Sequence, residues 1–199
     1  SSAASDVYKR QMWDFFNRCL LQSVRVIKSN KPIVSKVYIP KFILVIIRMC
    51  INGFKMFISF LIVAVMLIVW RVPITWNILY CIPILLTLFM LVFGFGCFLL
   101  HYGVFVEDLG NVLNIALRLI FYLTGVFWNI MDRLPAPYNA YIGKGNPIAF
   151  LLTSMRECLI YGQTPHRKLL LAWFLIGLVI SIIGIRKIYK NENSYVKVI

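Results

Sequence analysis

Acidic residues are scarce in this chain. Its 199 residues hold 7 Asp and Glu against 21 Lys and Arg, and none of the acids falls inside the long apolar runs. Proton-driven pumps carry carboxylates at membrane depth, so their lack argues against that class. It also argues against an intramembrane enzyme built on paired acids. Histidine is rarer still. His101 and His166 lie in stretches predicted on opposite sides of a bilayer, so neither a metal cluster nor a His-based triad can be assembled from them. The five cysteines, Cys19, Cys50, Cys81, Cys97 and Cys158, form no C-x-x-C pair. That pattern suggests neither a disulfide framework nor a metal site and leaves them as small apolar packing residues. No Gly-rich loop leads into Lys-Ser/Thr, so the chain has no Walker-type ATP site. No cluster of Lys and Arg resembles a nucleic-acid-binding arm, and no internal repeat is visible.

What is abundant is apolar sequence. The chain is 61% hydrophobic with a mean hydropathy of +0.82, too apolar for a soluble domain of this length. Several runs reach the roughly 18 residues that a spanning helix needs. The expected architecture is all-α, a polytopic transmembrane helical bundle with spans at 42–70, 77–100, 111–131 and 169–185. Pro83 is a candidate kink, and Gly94, Gly96, Gly177, Ser181 and Gly184 allow close helix approach. The net charge of +14 suits cytoplasmic flanks and anionic lipid headgroups. Both ends are predicted inside, with ten Lys and Arg in residues 12–41 and 186–199 against six in the outer segments.

Polar residues within the spans are ordered. Asn111, Asn114, Arg118, Tyr122, Gly125 and Asn129 recur at steps of three and four and form one stripe on a helix. An arginine near mid-bilayer costs about 2.5–3.5 kcal/mol on insertion scales, so the stripe must face other helices or a wet path. Both readings stand: packing within the bundle, or lining a route for something polar. Arg48, Asn52, Lys55 and Ser59 make a second stripe, read either as a solvated face below the membrane or as the wall of an inner vestibule. The Glu107-Asp108 pair precedes the third span, where acids suit a helix N-terminus.

Residues 132–168 form the longest polar gap. Pro147 fits the first position of a short helix ending near Gly162. That helix is too short to span, and it is read as part of a re-entrant outer hairpin or as an amphipathic helix on the membrane surface. At the other end, residues 18–41 carry Arg18, Arg25, Lys28, Lys31, Lys36 and Lys41 without an acid, which places them in the cytoplasm. Residues 1–11 read differently from the rest. Asp6 to Gln11 resembles the translated end of a sequencing-library adapter, so 1–11 are expected to be non-native and the N-terminus truncated.

The order of these elements resembles the membrane subunits of bacterial type-2 ABC exporters of O-antigen, capsule and teichoic acid. The stretch Lys31-Pro32-Ile33-Val34-Ser35-Lys36-Val37-Tyr38-Ile39-Pro40-Lys41 is similar to their Leu-Ile-Lys-Lys-Val-Tyr-Phe-Pro segment. Phe121 to Phe127 resembles Phe-Tyr-Leu-Ser-Pro-Val-Phe, with Gly125 in place of the proline. Asn146-Pro147 followed by Arg156-Glu157 is similar to the outer hairpin, and residues 186–199 to the basic tail. Glu107 stands where the family has arginine.

The resemblance spans residues 12–199 and implies a type-2 permease with a re-entrant outer hairpin in the bacterial plasma membrane, working as a homodimer. Residues 12–41 would form the coupling region for a separate cytoplasmic ATPase. Lys31, Pro32, Lys36, Val37, Tyr38, Pro40, Lys41, Glu107 and Asp108 would dock on it. ATP and Mg²⁺ would be bound by that partner and no cofactor by this chain, which would be a transport subunit rather than an enzyme. The translocation path for a lipid-linked glycan would draw on Asn111, Asn114, Arg118, Tyr122, Gly125, Phe127, Trp128, Asn129, Arg48 and Lys55. Asn146, Pro147, Arg156 and Glu157 would form an outer gate. Membrane lipids are expected partners and nucleic acid is not. The competing expectations are a polytopic enzyme acting on lipid-linked sugars and an ABC permease for drugs or lipids.

Overall fold

The computed structural model describes residues 2–126 and 135–198. Of the predicted path, Phe127, Trp128 and Asn129 lie outside the described residues. Among those described, every regular element is helical. They are α1 (Ser2–Ser29), α2 (Lys31–Val34), α3 (Phe42–Val69), a 3-10 turn (Trp76–Tyr80), α4 (Cys81–Phe105) and α5 (Leu109–Thr124), then α6 (Tyr138–Gly145), α7 (Pro147–Leu159), α8 (Arg167–Lys190) and α9 (Glu192–Val198).

Among the described residues three helices are long and apolar enough to cross a membrane: Phe42–Val69, Trp76–Phe105 and Arg167–Lys190. Their outward faces expose Phe54, Phe57, Leu61, Val65, Leu86 and Leu171, surface that suits hydrocarbon far better than water. The predicted fourth span at 111–131 is described only as far as residue 126, and 127–131 lie outside the described residues. α5 has 16 residues, about 24 Å at 1.5 Å per residue, short of the ~30 Å hydrocarbon core. It ends because Gly125 adopts the left-handed conformation, with φ 68°, a geometry glycine takes without the Cβ clash that other residues meet.

α4 is the centre of the bundle and packs along α8, α1 and α3. Contact with α8 rests on small residues. A Cβ on Gly94 would meet Ile180 at 2.8 Å, and one on Gly184 would meet Cys97 at 2.8 Å. Ser181 Oγ donates to Gly177 O at 2.7 Å and lies 3.1 Å from Met90 O across the interface. Packing so close replaces the missing hydrophobic drive between helices in lipid. Pro83 falls in the first turn of α4, where its missing N–H leaves no hydrogen bond broken; it marks the change from 3-10 to α-helix rather than a mid-span kink.

α1 departs most from expectation. Residues predicted as a basic cytoplasmic loop from Arg18 onward are helical as far as Ser29. The helix lies within the bundle against α3, α4 and α5. Met12, Trp13, Phe15, Phe16, Cys19 and Leu20 are buried, and so are Ala4, Ser5 and Tyr8 near its start. Phe15 stacks against Phe89 of α4, centroids 4.7 Å apart, and Trp13 against Phe121 of α5 at 5.3 Å. Its apolar and aromatic residues recur at helical spacing, which buries one face and leaves a polar one.

The segment after α5 folds as a pair of short helices. Asn146 caps α7, its Oδ1 accepting from Ile148 N at 3.1 Å and Ala149 N at 3.4 Å, with Pro147 at the first helical position. Ile148, Ala149, Leu151, Leu152 and Met155 are buried, so α7 is seated in protein on more than one side. Asn146 Nδ2 donates to Thr124 Oγ1 at 3.2 Å, tying the pair to the end of α5.

Candidate functional site

The polar face of α1 meets both stripes predicted from the sequence. Between α1 and α5 lies a cavity of about 590 Å³, lined by Arg10, Trp13, Asp14 and Asn17 on one side and by Asn114, Leu117, Arg118, Phe121 and Tyr122 on the other. A second cavity of about 360 Å³ continues it toward the end of α1. Gln22, Arg25 and Ser29 face Arg48 of α3 and Gly110 and Asn114 of α5 there. A smaller one, about 100 Å³, lies between α1 and α3, where Asp14 and Arg18 share walls with Asn52 and Lys55. Asn114 borders the first two and Asp14 the first and third. Through these shared residues the three neighbouring cavities follow α1 and together make up the groove along it.

Its charge is lopsided. Arg18, Arg25, Arg48, Lys55 and Arg118 line it with one acid, Asp14, and Arg10, from the segment expected to be non-native, joins them. Amide donors and guanidinium groups are placed for hydroxyls and anionic oxygens. Trp13, Phe121 and Tyr122 form an aromatic wall, with Phe121 and Tyr122 centroids 5.7 Å apart. At the closed seam between α1 and α3, Asn52 is buried, and its Nδ2 donates to Gln22 Oε1 at 2.8 Å and to Arg48 O at 2.9 Å.

The predicted residues divide accordingly. Asn111, Asn114, Arg118 and Tyr122 lie along α5, and Asn114, Arg118 and Tyr122 line the groove. Gly125 is buried at the helix end. Arg48 and Lys55 belong to the groove through α1, a neighbour the sequence reading did not give them. Asp14, Asn17, Arg18, Gln22 and Arg25 were missed. The signal was present: Asp14, Arg18 and Gln22 repeat at steps of four and Arg25 follows at three, the same spacing that marked α5.

The region expected to couple to a partner lies at the opposite end of α3 from Val69. Lys31, Pro32, Lys36, Val37 and Tyr38 are exposed and Pro40 is half-buried. Lys41 is not a surface charge. Its side chain is 3% exposed and its Nζ lies 3.4 Å from Glu192 Oε1, on α9. Nζ also donates to Ile39 O at 3.0 Å, and Tyr38 OH donates to Glu192 Oε2 at 3.2 Å. The Glu192 carboxylate beside the Tyr38 phenol holds its pKa above the usual tyrosine value. Tyr195, fully buried, shares a 2.7 Å hydrogen bond with His101 Nδ1 of α4, and burial drives its phenol pKa upward. Glu107 and Asp108 are exposed where α5 begins, and Asp108 O accepts from Asn111 N and Val112 N.

Of the expected gate residues, Asn146 and Pro147 start α7 as described. Arg156 lies 5.5 Å from the Tyr161 ring centroid, and burial raises the Glu157 carboxyl pKa above its ordinary range. Among the described residues no three His, Cys, Asp or Glu side chains converge as metal ligands would. Comparison with protein-family models and with curated proteins yields no match.

Proposed function

We propose that this chain is the membrane subunit of an ABC exporter that carries a lipid-linked polysaccharide or teichoic acid across the bacterial plasma membrane. It would act as a homodimer, with ATP and Mg²⁺ bound by a separate ATPase. The observation that carries the reading is the groove along α1. Polar residues from three helices border it, and Arg18, Arg25, Lys55, Asn114, Arg118 and Tyr122 are exposed along it, where hydrocarbon would not tolerate them. Groups of this kind suit a glycan. Amides and guanidinium groups hydrogen-bond to hydroxyls and phosphates, while aromatic faces take sugar rings. The acid-poor groove fits a substrate carrying negative charge.

In this scheme the exposed segment with Lys36, Val37 and Tyr38 meets the ATPase, and Lys41 holds that segment to the tail. The α6–α7 pair would serve as the outer, re-entrant gate, tied through Asn146 to Thr124 at the end of α5. Movement of α5 would then reach the gate directly.

The test is co-expression of the chain with the ATPase encoded in its own gene cluster. Wild type should retain the ATPase on purification, and Lys36→Glu combined with Val37→Asp should lose it while eluting as a folded protein. A correctly inserted wild type that retains no ATPase rules the exporter reading out.

A further inference from the structure

A second cavity, apart from the groove, opens between the first turns of α4 and α8. It measures about 320 Å³ and is walled by Pro83, Leu86, Leu170, Leu171 and Phe174, with Arg167 on its border. Thr87 brings the hydroxyl among its walls, and this donates to Pro83 O at 2.8 Å, so it is already satisfied. Both walls belong to helices long and apolar enough to cross a membrane. The first turns of spanning helices sit where the hydrocarbon layer meets the headgroups.

Arg167 gives the slot its polarity. The guanidinium sits over the Tyr80 ring, 5.2 Å from the centroid. Stacking occupies the planar face and leaves the in-plane N–H groups for an anion. Lys168 follows it, and both open α8, whose first-turn N–H groups add partial positive charge. Among the described residues no acid lines the cavity. An apolar slot with a cation at its border matches an amphiphile with a hydrocarbon tail and a phosphate head.

We propose that this slot binds one acyl chain of an anionic phospholipid, with the headgroup phosphate on Arg167. The site is independent of the exporter reading, since it needs neither an ATPase nor a glycan.

Native mass spectrometry of the full chain in detergent, titrated with phosphatidylglycerol or phosphatidylcholine, tests it. Wild type should hold one phosphatidylglycerol several-fold more tightly than phosphatidylcholine. Arg167→Gln should remove that preference, weakening phosphatidylglycerol at least five-fold. Leu171→Trp, which fills the slot, should weaken both lipids, and Arg186→Gln at the far end of α8 should change neither. Leu86→Phe replaces Leu171→Trp if that variant loses helical circular dichroism. Equal phosphatidylglycerol affinity in wild type and Arg167→Gln overturns the proposal. So does a filled slot that still binds lipid normally while a dimer falls to monomer, because the slot would then be an interface between copies.

Discussion

Lys41 and Glu192 meet as a buried ion pair, Nζ to Oε1 at 3.4 Å, that fastens the C-terminal helix to the loop ahead of α3. Oε1 has no hydrogen bond of its own, whereas Oε2 accepts from Tyr38. Removing one member of such a pair strands the other charge out of water. Glu192→Gln should therefore destabilise the protein by about 3–5 kcal/mol, read as a fall in the thermal midpoint. The double replacement Lys41→Met with Glu192→Leu should lose much less. Tyr38 adds a pH window. Its raised phenol pKa means the contact with Glu192 is intact below the ordinary tyrosine value of about 10 and is lost as pH climbs through the raised one. Proteolysis of the tail should accelerate only in that alkaline range.

Gly103 of α4 lies against the backbone of Val24 in α1. A Cβ there would run into the Val24 backbone carbonyl, and backbone cannot swing aside as a side chain can. Gly103→Ala should cost about 1–3 kcal/mol, the usual range for overpacking. At the end of α6 the surroundings are open: a Cβ on Gly145 would meet nothing within 4 Å. Gly145→Ala should leave the thermal midpoint unchanged or raise it slightly.

Burial raises the carboxyl pKa of Glu157 on α7, with His166 opposing weakly. A raised folded-state value means its contribution to stability is full below the unfolded pKa, about 4.3, and falls as pH rises. Glu157→Gln should accordingly be more stable than wild type at pH 7, with the difference closing on acidification toward pH 4. Thermal unfolding across that range checks both the sign and the closure.

The apolar runs made the three long helices legible, because length and hydropathy alone decide which segments can cross hydrocarbon. The small-residue contact of α8 was legible for the same local reason: Gly177, Ser181 and Gly184 share one face. α1 was not. Its charges made it look like a loop, although Trp13, Phe16 and Leu20 bury one side of a helix whose other side is polar. The end of α5 at Gly125 was hidden because the apolar pattern continues past it, while a left-handed residue stops the helix. The role of Lys41 was hidden because its partner lies near the far end of the chain. The α5 stripe was visible, but not the α1 residues facing it, since convergence of three helices is a property of packing.

The aromatic wall can be separated from the amide and guanidinium groups. Tyr122 is exposed at the groove, so Tyr122→Ala should leave the protein within about 0.5 kcal/mol of wild type in stability. It should still weaken binding of a glycolipid in fluorescence titrations. Trp13→Ala should do both kinds of damage, because Trp13 is buried against Phe121 and also lines the groove.

The most direct measurement is ATP hydrolysis by the reconstituted complex with and without a lipid-linked glycan, for wild type and for Arg118→Glu combined with Asn114→Leu. The groove account predicts that the glycan stimulates the wild-type complex, and that the double variant still captures the ATPase but has lost the stimulation. Equal stimulation in both proteins would contradict it and remove the groove along α1 from the path of the substrate.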